Sequence, residues 1–345
     1  MTVKRINLAL QGGGAHGAFT WGVLDRLLEE DDIEIAAISG TSAGALNGAA
    51  YKAGWLKGGR DGARANLDWL WSRMGALQET PVTRWLTEMS PATAAVSAAL
   101  ESSVAYGMAD TVSRLTSPYA LGPFYSNPLT PIVEAFDYDT VCALDGPRLF
   151  VGATNVRSGK IRVFTGDQIS TGAILASACL PTLFQAVEIE DPETGRSEAY
   201  WDGGYSGNPA LFPLFEPDLP SDILIVNINP ILRNDVPRSP QQIQNRINEI
   251  SFNASLLREL RAIGFVKRLL AQGALTPGSM KDVLVHMVAD DALMNDLSVA
   301  TKILPNPLLL ARLKAAGRAA ADGFLVAHKD DLNRRGTVDL AQMLS

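Results

Sequence analysis

Apolar positions along the chain follow two rhythms, one suited to strands and one to helices. Residues 5–11 form a short apolar run that predicts a buried strand. Phe19, Val23, Leu24, Leu27 and Leu28 then recur at helical spacing, with Asp25, Arg26, Glu29 and Glu30 on the opposite face. Ile33 to Ile38 is a second apolar, β-branched run and predicts another strand. It ends in SGTSAGAL, which opens a small-residue helix expected to run to about Gly54, a glycine suited to a C′ stop. Leu67, Leu70, Trp71 and Met74 mark a third helix. Strands and helices alternating in this way predict a parallel α/β sheet.

Residues 85–123 break the rhythm. They are rich in Ala, Ser, Thr and Met, with Met89, Leu100 and Met108 among their apolar positions. Two readings fit: a pair of amphipathic helices packed on the core, or a helical cap over an apolar site. Strands resume at 148–155, 162–165, 197–201 and 223–229. Beyond a connector at 234–240, Ile243, Ile247, Ile250, Ala254, Leu257 and Leu260 predict a long amphipathic helix. A strand at 283–288 and a helix from Pro307 to about Ala327 follow. No internal repeat or low-complexity tract interrupts this order.

Composition narrows the function. With 345 residues, 47% hydrophobic and 19% charged, the chain is globular and long enough to bury a large core. A net charge of −7, without any lysine or arginine run, argues against a nucleic-acid partner. Cys142 and Cys179 form no CxxC pair, which suits a reducing compartment. His16, His286 and His328 are scattered, so no metal or other cofactor is expected. The N-terminal apolar stretch is too short for a signal peptide, and the uncharged run 168–187 is interrupted by Gly172 and Pro181. These features predict a soluble, cytoplasmic protein.

Three short motifs carry candidate chemistry. Gly12, Gly14 and Gly17 satisfy GxGxxG at a strand-to-helix junction. A dinucleotide site would need an acid at the end of the second strand, where Ile38-Ser39-Gly40 stands instead. A Walker loop would need GKS or GKT where AHG stands. The second motif is GxSxG, Gly40-Thr41-Ser42-Ala43-Gly44, between a strand and a helix. A nucleophilic serine needs such a tight turn, with glycines that let neighbouring backbone pass close. The other reading is a helix start built from small residues. The third motif is Asp202-Gly203-Gly204 after a predicted strand, an exposed carboxylate or an Asp-Gly hairpin turn. Neither His286 nor His328 lies in an obvious catalytic pattern.

In this order and context, GGGxxG, GxSxG and DGG resemble the patatin-like phospholipases. The stretches Ala176–Phe184 and Gly207-Asn208-Pro209 agree, and the resemblance covers roughly residues 5–215. It implies a three-layer α/β/α fold with a mainly parallel central sheet and a largely helical C-terminal extension. The catalytic core would span 1–232, with 85–123 as the candidate cap, and the extension 233–345 would pack on it. The resemblance implies a serine acyl hydrolase with a Ser42–Asp202 dyad, and an oxyanion hole from the Gly12, Gly13 and Gly14 N–H groups. Gly17, Gly40, Gly44, Gly203 and Gly204 would be motif glycines. A lipid ester substrate and peripheral contact with a membrane or lipid surface follow.

One departure from the family matters: His16 stands where the family usually has Arg or Lys. His16 is either a packed helix-start residue or a participant in the site. Two other functions stay open on sequence: a catalytically weak lipid-binding protein of the same fold, and a nucleotide-binding protein using the glycine loop.

Overall fold

The computed structural model describes residues 3–77, 117–233, 236–238, 240–276, 278–297, 300–303 and 305–345. The predicted cap at 85–123 therefore lies largely outside the described residues. In chain order the main elements are β1 (Lys4–Leu10), α1 (Gly17–Leu27), β2 (Ile33–Thr41), α2 (Ala43–Ala76), β3 (Arg148–Asn155) and β4 (Ile161–Thr165). Next come α3 (Thr171–Ser177), β5 (Val187–Asp191), β6 (Arg196–Asp202), β7 (Asp222–Asn227), α4 (Pro240–Ala271), β8 (Leu284–Ala289) and α5 (Pro307–His328).

The strands form one eight-stranded sheet of order β5-β6-β3-β2-β1-β7-β8, with β4 also on β3. From β3 to β8 the strands of this order pair in parallel; β4 and β6 run antiparallel to β3, and β5 runs antiparallel to β6. Both faces are covered, which is why the central strands read as near-continuous apolar runs. On β1, Ile6, Leu8 and Leu10 enter the core built with α1, α2, α3 and α5. Ala9 points the other way, into a core with Leu256, Leu260 and Ile263 of α4. The result is a three-layer α/β/α fold. Residues beyond 232 contribute an edge strand, β8, and a covering helix on each face.

Close backbone approach explains several glycines. A Cβ on Gly22 of α1 would stand 2.0 Å from the Lys314 carbonyl oxygen, and one on Gly317 of α5 would stand 2.0 Å from that of Phe19. The two helices therefore cross nearly backbone to backbone. Gly54 has the same role and is not a helix stop. Its Cβ would stand 2.3 Å from the Gly62 carbonyl oxygen, so α2 continues past it. The break falls at Gly58-Gly59, where Gly59 has φ 59°. The predicted second and third helices are the two halves of this element. β5 was not anticipated from the sequence. Among the described residues, no helix is long and apolar enough to cross a membrane.

Candidate active site

β4 pairs with β3 from Phe150 to Thr154 and so takes one edge of that strand. β2 pairs with β3 through Gly152, and β6 pairs with it from Ala153 onward. Both must therefore lie on the other edge, one after the other. Thr41 stands opposite Gly152, and Asp202 stands opposite the next residue, Ala153. The C-terminal ends of β2 and β6 thus meet head to head. This register brings Ser42 and Asp202 together from 160 positions apart. Gly203 permits the approach: a Cβ there would stand 2.2 Å from the Gly152 carbonyl oxygen.

Ser42 occupies the turn between β2 and α2 with φ 55° and ψ −121°, a backbone conformation that a residue with a side chain rarely adopts. Its side chain makes no capping bond to α2, which argues against a mere helix start. Its N–H donates to Ser177 Oγ at 2.9 Å, and Ser177 Oγ donates to the Gly152 carbonyl at 2.6 Å. Gly44 lets the elbow seat against β1, since a Cβ there would stand 2.1 Å from the Leu10 carbonyl oxygen. Gly40 and Gly17 are packed as tightly, against Gly44 and Ala43. The N-terminus of α2 also sets a positive dipole end beside the serine.

Asp202 is fully buried at the end of β6. Its Oδ1 accepts the Gly204 N–H at 2.8 Å, while Oδ2 is buried and has no hydrogen-bond partner. Burial pushes its carboxyl up to about 7, while the Gly204 N–H and the Ser42 hydroxyl pull the other way. The Ser42 hydroxyl thus faces the acid closely enough to influence it, although the two do not meet in full hydrogen-bond geometry. The DGG motif is no hairpin turn: it leads from β6 into the 3₁₀ turn Gly203–Tyr205.

The glycine loop wraps the other side of Ser42. A Cβ on Gly12 would stand 2.6 Å from Ser42 Cβ, so only glycine fits. The sequence expectation that Gly12 supplies an oxyanion N–H needs correction. That N–H donates to Asn208 Oδ1 at 2.6 Å and is already committed. Gly13 and Gly14 line the cavity beside Ser42, and their N–H groups donate to no other described residue.

A buried amide network holds the loop. Asn208 Nδ2 and Asn229 Nδ2 donate to the Gly12 carbonyl at 3.3 and 2.8 Å. Gln11 Oε1 accepts the N–H groups of Ile228 and Asn229 at 2.9 and 3.1 Å. None of Gln11, Asn208, Asn229 or Ser177 was identified from sequence as a site residue. The signal for two of them was that Ser177 and Asn208 lie in stretches shared with the resembled family.

The cavity measures about 270 Å³. Ser42, Asp202, Gly13 and Gly14 lie in its wall. One part is apolar, with Leu46, Met74, Leu129, Leu180, Leu183 and Phe184; another is polar, with Asn229, Asn245, Asn248, Glu249 and Lys302. The histidines lie elsewhere. His286 is buried on β8, where its Nε2 meets Asp222 Oδ1 at 2.9 Å and its Nδ1 meets Thr337 Oγ1 at 3.1 Å. His328 pairs with Asp331. His16 packs behind the glycine loop with Nε2 2.8 Å from Thr301 Oγ1. Burial, then the charges of Lys302 and Arg233, hold His16 well below the usual histidine value, so it is neutral.

Fold and site together define an α/β protein with a serine on a strained strand-to-helix elbow, a buried acid at its side and a glycine loop opposite. The family model for patatin-like phospholipase matches residues 8–215. The chain belongs to the patatin-like phospholipase family. Among solved structures it is similar to VipD from Legionella pneumophila, with 16% identity, 94% of this chain and 67% of that chain covered, and a TM-score of 0.42. Among curated proteins, none matches.

Proposed function

We propose that the chain is a lipid acyl hydrolase working through a Ser42–Asp202 dyad. The observation that carries this reading is the unpartnered Oδ2 of a buried acid beside a serine hydroxyl that caps nothing. As Ser42 Oγ attacks the ester carbonyl, Asp202 takes its proton. The carbonyl oxygen becomes negative only at that moment, and the N–H groups of Gly13 and Gly14 receive it. Collapse expels the alcohol, which takes the proton from Asp202 and leaves an acyl-Ser42 ester. Water then attacks with Asp202 again as base, releasing the fatty acid and restoring Ser42. An acid held at about 7 suits both directions of transfer near neutral pH. No histidine, metal or cofactor enters the scheme.

The apolar part of the cavity suits an acyl chain, where each buried methylene contributes roughly 0.8 kcal/mol. Helix α4 contributes Asn245, Asn248 and Phe252 to the cavity and exposes Ile243, Ile247 and Ile250. That apolar stripe supports contact with a lipid surface, so that substrate enters without crossing water.

The test is labelling with a fluorophosphonate probe alongside hydrolysis of p-nitrophenyl esters. Wild type is expected to be labelled on Ser42 and to turn over ester, and Ser42→Ala to do neither while keeping its fold. Lipid binding without turnover or labelling in wild type would replace this reading with a binding protein of the same fold.

A further inference from the structure

The short turn Ala300–Ile303 lies far along the chain from the glycine loop yet touches it at two points and reaches Asn229 beside it. Thr301 Oγ1 meets His16 Nε2 at 2.8 Å. The Lys302 carbonyl oxygen packs on Gly14 so closely that a Cβ there would stand 2.2 Å from it. Lys302 Nζ donates to Asn229 Oδ1 at 3.0 Å. This last contact orients the Asn229 amide, whose Nδ2 then donates to the Gly12 carbonyl at 2.8 Å and to Gln11 Oε1 at 3.1 Å.

The Gly12 carbonyl and the Gly13 N–H belong to one planar trans peptide, so they point in opposite directions. A donor that fixes the carbonyl also aims the N–H. Asn229 and Asn208 fix the carbonyl, and the Gly13 N–H, opposite it in the same peptide, stays without a partner among the described residues at the cavity wall beside Ser42. Without Lys302, Asn229 Oδ1 would lose its lysine donor and the amide could rotate. Glu249 also attracts the ammonium, but from farther away than Asn229 Oδ1. It is already held by Arg233 through two bonds of 2.7 Å and lies 3.6 Å from Lys302.

We propose that Lys302 is a positioning residue that acts through Asn229 to aim the Gly13 N–H at the developing oxyanion. The inference rests on the acyl-hydrolase reading. On this view the turn Ala300–Ile303 is a working part of the site, although it lies outside the 8–215 family match.

The experiment compares wild type, Lys302→Met, Lys302→Arg, Thr301→Val and Ser42→Ala on two substrates: a neutral p-nitrophenyl ester and a phosphate-bearing phospholipid in mixed micelles. Lys302→Met keeps the aliphatic stem and removes the donor. It is expected to lower kcat by roughly 10- to 100-fold on both substrates with KM within about twofold, since a misaimed oxyanion donor weakens only the transition state. Lys302→Arg, which retains a donor, should recover most of the rate. Thr301→Val removes the hydroxyl that meets His16 and so loosens the turn that carries Lys302; it should show the same loss of kcat and serves if the methionine variant does not fold. An unchanged kcat in the folded Lys302→Met or Thr301→Val protein would overturn the proposal. So would a loss confined to KM for the phospholipid, which would make Lys302 a headgroup contact. Failure of the underlying reading shows separately, as Ser42→Ala retaining wild-type turnover.

Discussion

Ser177 stands directly behind Ser42 and holds its backbone: the Ser42 N–H donates to Ser177 Oγ, which donates onward to the Gly152 carbonyl. A strained elbow persists only where its surroundings hold it. Ser177→Ala leaves a buried N–H and a buried carbonyl without this partner, at a cost of about 1–3 kcal/mol. The variant is expected to melt earlier and to lose kcat, while fluorophosphonate still labels Ser42. Transfer of the label to Ser177 in the Ser42→Ala protein would contradict these roles.

The acidity of Asp202 sets the pH response. Its folded value of about 7 lies above the ordinary 3.8, so the fold favours its protonated form. That contribution is present at low pH and is lost as pH rises through 7. At about 1.4 kcal/mol per pH decade between the two values, ionised Asp202 costs the fold roughly 4 kcal/mol above neutrality. Asp202→Asn should therefore raise Tm at pH 8, with an advantage that shrinks toward pH 4. As the proposed base acts in its ionised form, kcat/KM of wild type should rise with pH through about 7 and then level. Asp202→Asn should lose roughly 10²–10⁴-fold in kcat. Equal melting curves at pH 8, or a flat wild-type profile, would count against the assignment.

His286 separates stability from catalysis. It is fully buried between Asp222 and Thr337 and does not line the cavity. His286→Ala removes one partner of Asp222, which keeps its two bonds from Asn333, and opens a void, so Tm should fall. Turnover per folded molecule should stay within a few-fold of wild type. A loss of kcat as large as that of Asp202→Asn would require a triad instead.

Two glycines make a matched pair. Gly203→Ala drives a methyl into the Gly152 carbonyl and should cost roughly 1–3 kcal/mol or more, with activity lost as β6 is pushed off β3. Gly323→Ala, in α5 with nothing within 4 Å, should stabilise by about 0.5–1 kcal/mol and leave activity intact. Chemical denaturation of both proteins checks the contrast.

The outer stripe of α4 offers a test of lipid contact. Ile247→Asp with Ile250→Asp should leave hydrolysis of a soluble short ester unchanged. Turnover of phospholipid in vesicles should fall about tenfold or more as apolar contact is lost. Equal effects on both substrates would point to a folding defect.

The parallel sheet and both motif glycine loops were legible because their information is local. Ile6, Leu8 and Leu10 advertise a buried strand, and GTSAG names an elbow within five residues. Features that depend on a distant partner were not legible. Gly54 looks like a helix stop until Gly62 is seen across from it. β5, VEIED, carries three acids in five residues and no apolar run, so only its pairing with β6 reveals it. Gln11, Asn208, Asn229 and Lys302 come from four separate parts of the chain, and no spacing links them. Gly12 was expected to face the substrate, but a residue 196 positions away takes its N–H.

Because β2 and β6 meet end to end on one edge of β3, the proposed dyad would assemble only once both strands have been made. A nascent polypeptide carries Ser42 long before Asp202 is made, and the serine would lack its proposed base until β6 docks on β3 beyond Gly152. Under the proposed dyad, the sheet edge makes reactivity conditional on two separate strands arriving at one place: a chain in which β6 is absent or out of register holds a serine without its base.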